Sequence, residues 1–253
     1  MKRLVLGMPI DALTTDDVLD RCRASLRSRE RILIGVVNAA KMVKLRHDEH
    51  LRDSLLDCDV LLADGQSVVW ASRLLRRPVP ERVAGIDLFE RLLELAALDG
   101  WSVYLLGATP DVLATLQERV SERFVGLKIA GAHDGYFADA ESGPVATGIR
   151  DSGADMLFLG MTSPKKEIFL GDFGPTLGVP VLHGVGGSFD ILAGITKRAP
   201  QRWQRLGLEW LYRVRQEPGR LWRRYLTTNV TFIALVAREL VRRQPPYRHS
   251  SGG

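Results

Sequence analysis

WSVYLLGATPDVLATLQERVSERF, residues 101–124, decides how the rest of the chain is read. A short apolar run ends at Gly107, the chain turns through Ala108, Thr109 and Pro110, and apolar residues then recur at helical spacing. The unit is strand, glycine turn, helix. Upstream, ILIGVVN (32–38) reads as a buried strand and AAKMVKLRHDEHLRDSLLDC (39–58) as one amphipathic helix. DVLLADG (59–65) is a second strand and GIDLFERLLELAALDG (85–100) a second long helix. Downstream, LKIAGAHDGYF (127–137) gives strand and loop, and ADMLFLGMTSPKKEIFL (154–170) strand, loop and helix start. VPVLHGVGGSFDILAG (179–194) closes the series with a strand and a glycine-rich loop. Short apolar strands alternating with helices predict an α/β fold, a mostly parallel sheet covered by helices on both faces.

In such sheets ligands bind beyond the carboxyl ends of the strands. The residues that follow the strands are therefore the candidates: Asn38, Asp64, Gly107 to Thr109, His133 to Tyr136, Thr162 to Lys166, and Gly184 to Asp190. Asp64 is notable because an apolar run delivers a single carboxylate, with Arg76, Arg77 and Arg82 close behind. A catalytic base beside an anion pocket fits that pattern, and so does a turn aspartate before a solvated helix. GATPD (107–111) could set a phosphate against a helix N-terminus, although a plain strand-to-helix turn explains it equally well. In GVGGSFD (184–190), Gly186 and Gly187 would let backbone approach a ligand closely; a tight turn is the competitor. No full GxGxxG is present, which disfavours a dinucleotide cofactor.

Two apparent metal motifs carry little weight. Asp57-Cys58-Asp59 has the DxD form but precedes a strand, where a solvated turn is expected. HDEH (47–50) would put His47 and His50 on one side of the helix without a third ligand. Cys22 and Cys58 suit neither a disulfide framework nor a metal site and fit a reducing cytoplasm. Near the N-terminus, polar residues interrupt the apolar stretch before a signal peptide's apolar region would be complete. No window of about 18 apolar residues predicts a membrane span.

The charge is unevenly placed. Residues 198–253 hold twelve arginines against Glu209, Glu217 and Glu239, a formal +9 in a chain whose total is +5. Arginines there alternate with Trp203, Trp210, Tyr212, Trp222 and Tyr225, and Leu206, Trp210, Arg213 and Val214 could share one helical face. A packed helix with a basic exterior accounts for this. An interfacial helix, with aromatic rings at headgroup depth and guanidinium groups on phosphate, accounts for it better. No nucleic-acid motif accompanies the basic stretch, so nucleic acid is not an expected partner.

VVNAAKMV, LLADGQSVVW, PERVAGIDL, AHDGYF, GMTSPKKE, GVGGSFDILAG and the long RAPQRWQRLGLEWLYRVRQEPGRLWRRYL together resemble the WecG/TagA/CpsF glycosyltransferases, in order and over roughly residues 5–240. The resemblance implies a Rossmann-like catalytic domain (1–197), a basic helical C-terminal appendage (198–243) that closes over the site and docks to membrane, and a tail (244–253) expected to be disordered. It implies a metal-independent, inverting transferase with no cofactor. The donor would be a UDP-sugar, and the acceptor a saccharide on undecaprenyl diphosphate at the cytoplasmic face of the membrane. It further implies dimers that exchange with a membrane-active monomer. Asp64 matches the family's general base, Asn38 a sugar-pocket asparagine and Arg82 a basic active-site residue. Tyr136 and Asp190 match nucleotide or sugar positions, and Arg213, Arg220 and Arg223 are the candidates for diphosphate or membrane contact. Two departures bear on the donor. Val36 stands where many relatives carry threonine, and Lys166 where they commonly carry glutamine. The expected donor is therefore UDP-glucose, UDP-glucuronate or UDP-N-acetylmannosaminuronate rather than UDP-N-acetylmannosamine. A non-catalytic sugar-nucleotide-binding or scaffold subunit is the alternative.

Overall fold

The computed structural model describes residues 1–162, 165–216 and 218–250, without the side chains of Arg205, Arg213, Arg220, Leu221 and Arg224. The chain opens with an antiparallel hairpin, β1 (Lys2–Val5) and β2 (Met8–Asp11), followed by α1 (Thr15–Ser28). Next come β3 (Ile32–Val37), α2 (Ala39–Lys44), α3 (Glu49–Leu56), β4 (Val60–Ala63), α4 (Gln66–Leu74) and α5 (Gly85–Asp99). The second half continues with β5 (Ser102–Gly107), α6 (Pro110–Arg123), β6 (Lys128–His133), α7 (Ser142–Asp151), β7 (Met156–Gly160), α8 (Lys165–Phe173), β8 (Val181–Gly184) and α9 (Ser188–Leu192). The C-terminal segment carries α10 (Gln201–Arg205), α11 (Glu209–Gln216) and α12 (Pro218–Val241).

Six of the strands form one parallel sheet in the order β4-β3-β8-β7-β5-β6. Successive side chains of a strand point to opposite faces, and here each face meets a helical layer. Leu33, Val37, Leu61, Leu106, Leu157 and Leu182 enter one core. Ile34, Val36, Leu62, Leu105, Phe158 and Val181 enter the other. This two-sided burial is why the strands are continuous apolar runs.

The expected single helix over 39–58 is two helices. The Asp48 side chain accepts from the Leu51 N–H and starts α3, while α2 ends at Leu45. A side-chain acceptor at an N-cap competes with helix continuation, so His47 and His50 do not share a helical face.

All six carboxyl ends of the parallel strands lie on one side of the sheet. The connections from β5 and β7 leave in opposite directions, to β6 and to β8, which opens a crevice between those two strands. Gly107 stands at its head with φ +134°, and a Cβ there would lie 2.6 Å from the Gly160 carbonyl carbon. Glycine is required here by both the backbone angle and the close approach.

The C-terminal segment returns to the body. Phe232, Leu235 and Val236 of α12 are buried in the same core as Met42 and Leu45, next to α2. Arg77 joins buried Glu239 (Nη1 to Oε1, 2.8 Å) and donates to the Leu4 carbonyl. Residues 244–250, expected as a disordered tail, are tied down at several points. The Tyr247 N–H donates to Gly7 O (2.9 Å), and the Ser250 hydroxyl to Asp53 (2.6 Å). His249 Nε2 lies 2.8 Å from Asp57.

Candidate active site

Asp64 follows β4, and its backbone N–H continues the ladder to Val37 O at 2.9 Å. The Val83 N–H donates to Ala63 O (3.0 Å), so residues 82–84 run beside the end of β4 and deliver α5 to the carboxylate. The Gly85 N–H then donates to Asp64 Oδ1 at 3.0 Å. No side chain at Ala84 caps this 15-residue helix; Asp64 supplies an acceptor from outside it. Free N–H groups at a helix start and the helix dipole favour an acceptor there, and the Gly85 N–H fixes the orientation of the Asp64 carboxylate. Asn38 donates to the other oxygen, Oδ2, through a long 3.5 Å contact, while its own Oδ1 caps α2 by accepting the Lys41 N–H. One carboxylate oxygen is thus bonded at 3.0 Å and the other at 3.5 Å.

Beneath this lies a second polar layer, of which sequence reading had singled out Lys166 and Gly184 but not Lys41 or Glu167. The Lys41 side chain turns back along β3 and donates to Val36 O (2.8 Å). Burial, reinforced by neighbouring Lys166, lowers its pKa to about 8 against the opposing pull of Glu167 and Asp64. Lys166 is buried, pairs with Glu167 at 3.1 Å, and lies against Gly184, where a Cβ would meet its Cδ at 2.7 Å. Lys41, Lys166, Glu167 and Gly184 line a cavity of about 250 Å³ that runs between α3 and α8 toward Arg31 and Asp57. Val36 is buried under Gly85 in the core. On the opposite face of the sheet His183 is fully buried, with Nε2 3.3 Å from Gly85 O and Nδ1 3.2 Å from Ile34 O. Burial lowers its pKa, opposed by the two carbonyls. Lys41 carried a faint signal, three residues after the helix-capping Asn38. His183 looked like one more residue of a strand.

Arg82 belongs to a ring of alternating charge. Its guanidinium reaches Glu209 Oε2 at 3.1 Å and Asp87 Oδ2 at 3.6 Å. Arg198 meets the other Asp87 oxygen at 2.5 Å, and its Nη2 stands 4.0 Å from Glu209 Oε1. Those last two atoms are buried, and neither has a hydrogen-bond partner among the described residues. Asp87 comes from the first turn of α5 and Glu209 from the first turn of α11. The ring therefore joins the C-terminal segment to the helix that holds Asp64.

The remaining candidates are spread along the same side of the sheet. Gly107 and Ala108 form the β5 turn, and Ala108 O accepts from the Gly135 N–H at 2.9 Å. Lys165 donates to Gly135 O (3.0 Å) and Phe137 O and lies 3.8 Å from the Phe137 ring centroid, pinning the loop that carries Tyr136. Tyr136 itself is 77% exposed, at the rim. Gly186 has φ +52° with open space where a side chain would be, and Gly187 leads into α9, whose first turn holds Asp190. The structure brings Asp64, Asn38 and Arg82 together with α5, and sets Lys166 in the layer below. Arg223 is exposed beside the Trp222 ring (5.4 Å). The side chains of Arg213 and Arg220 lie outside the described residues. Among the described residues no three His, Cys, Asp or Glu side chains are grouped to hold a metal ion, and no helix is long and apolar enough to cross a membrane.

The model of the glycosyl transferase WecG/TagA/CpsF family matches residues 3–246, and the chain belongs to that family. It is a glycosyltransferase, with a sugar donor and an acceptor as its substrates.

Proposed function

We propose that this glycosyltransferase moves a sugar from a UDP-sugar to a saccharide carried on a polyprenyl diphosphate, without a metal ion and with inversion at the anomeric carbon. The observation that carries the reading is the Asp64 carboxylate, held through Oδ1 by the N-terminus of α5 with Oδ2 turned to Asn38. In the proposed step the acceptor hydroxyl oxygen attacks the anomeric carbon while its proton passes to Asp64. The bond from the anomeric carbon to the phosphate oxygen breaks on the opposite face, and UDP leaves with the electron pair. Arg82, whose neighbour Val83 bonds to Ala63 at the end of β4, offsets the growing negative charge. Charge-assisted hydrogen bonds of this kind contribute about 1.5–3 kcal/mol each.

The lipid-linked acceptor is supported by α12. Trp222, Leu226, Val230, Ile233 and Leu240 are exposed at helical spacing along one side of it, with Arg223 next to the stripe, while Arg238 and Arg242 lie on another side with Arg46 and Glu239. An apolar stripe with an arginine beside it suits an anionic lipid surface, which supports a peripheral position at the inner face of the membrane.

The test is UDP release from a donor panel with EDTA and a lipid-diphosphate saccharide present. The panel includes UDP-glucose, UDP-glucuronate, UDP-N-acetylmannosaminuronate and UDP-N-acetylmannosamine. Release from one donor that Asp64→Asn abolishes is the expected result. UDP binding without release from any donor would favour a non-catalytic subunit. Strict use of UDP-N-acetylmannosamine would reject a donor change at Val36 and Lys166.

A further inference from the structure

Two guanidinium groups from different parts of the chain, Arg82 and Arg198, converge on the first turn of α5. Each meets an Asp87 oxygen, and Glu209 from α11 faces both, at 3.1 Å and 4.0 Å. The arrangement is uneven. Arg82 and Glu209 are in contact, whereas Arg198 Nη2 and Glu209 Oε1 are both buried and stop 4.0 Å apart, without a hydrogen-bond partner among the described residues. A part-exposed charge network in which two buried atoms lack a hydrogen bond is poorly satisfied, and it is open to a ligand that satisfies it better. A carboxylate has two oxygens to share between the arginines. A diphosphate has about four to six non-bridging oxygens over its two phosphorus atoms, in a geometry that guanidinium groups match bidentately.

We propose that Arg82 and Arg198 together form a phosphate-binding pair and that Glu209 is its internal stand-in, displaced when a diphosphate binds. The inference rests on the reading of the donor as a nucleoside diphosphate sugar and adds a second cation and a release step to it. With no ligand bound, Glu209 neutralises the pair and holds α11 against α5. When a diphosphate takes the two arginines, Glu209 is repelled and α11 is freed. Donor binding and movement of the arginine-rich C-terminal segment are thereby one event. Asp87 stays with the arginines and keeps both guanidinium groups turned toward α5.

Calorimetric binding of UDP and, separately, of inorganic diphosphate to the full-length protein tests this, with hydrogen exchange of residues 209–216 followed in parallel. Glu209→Gln removes the competing charge and should tighten both anions about tenfold, the equivalent of about 1.4 kcal/mol. Glu209→Asp, which keeps the charge, should tighten them less. Arg198→Gln should weaken both about tenfold. Exchange in 209–216 should rise when either anion is added to the wild type, and should already be raised in Glu209→Gln without it. Equal or weaker anion binding by Glu209→Gln, with a wild-type circular dichroism spectrum, overturns the stand-in. Unchanged binding by Arg198→Gln overturns the pair. If diphosphate binds and tightens as described but UDP binds no better than diphosphate, the nucleotide reading fails and the stand-in survives.

Discussion

The floor beneath Asp64 and the ring around Arg82 stabilise charge by different means. In the floor, the partners are largely backbone groups of regular elements: the Gly85 N–H at a helix start, the Val36 carbonyl on a strand, the ladder bond at Asp64. Such groups are positioned by the sheet itself and cannot move without breaking it. In the ring the partners are long side chains from α5, the segment before α10, and α11, and two of their buried atoms remain unbonded. One region is built to hold a group in a fixed place. The other is held by side chains alone. In the proposed reaction the first holds the base and the second meets the donor.

The largest effect expected from breaking the floor is chemical. Asp64→Asn keeps an acceptor for the Gly85 N–H but removes the base, so turnover should fall about 10²–10⁴-fold with the fold intact; UDP release and a thermal melt check both halves. Gly107→Ala attacks the sheet away from the floor, where β5 meets β7. Its Cβ would meet Gly160 at 2.6 Å at a φ of +134°, and a loss of about 3 kcal/mol or more in urea unfolding is expected.

Lys41 tests whether the floor is as rigid and dry as its geometry implies. Its folded pKa, about 8, lies below the unfolded value of about 10.4. Between those values the unfolded chain binds the extra proton, so stability should rise with pH across that window and lie on its lower plateau below it. Urea midpoints from pH 7 to 10.5 should show that rise, and Lys41→Met should flatten it. The smallest folding effect is expected outside both regions, on the exposed side of α12. Trp222→Ser, Leu226→Ser and Ile233→Ser sit on the exposed stripe and should each change stability by no more than about 0.5 kcal/mol. Combined, they should remove binding to vesicles that contain anionic lipid; retained vesicle binding would move the membrane contact elsewhere.

Much of the floor was legible because it sits at strand ends. Asn38 and Asp64, and Gly107 away from the floor, each follow an apolar run, and a parallel sheet collects such ends on one side whatever the strand order. The ring was not legible. Arg82, Asp87, Arg198 and Glu209 are separated by up to 127 residues along the chain, and apart from Arg82, which the family resemblance singled out, each reads alone as an ordinary surface charge. Asp48 shows the limit at short range. Its apolar neighbours continue a helical period across residues 39–58, yet its side chain takes the Leu51 N–H and divides the helix.

The amino-acid sequence by itself determined the α/β alternation, the two-sided burial of the strands and the delivery of Asp64 to a strand end, because these depend on local periodicity and on where apolar runs stop. Only the tertiary structure decided that α5 arrives with its N-terminus on Asp64, that Lys41 and Lys166 share one buried cavity, and that Glu209 meets Arg82. Those pairings depend on the lateral order of the strands and on the path of the C-terminal segment, and no residue's neighbours in the chain specify either one.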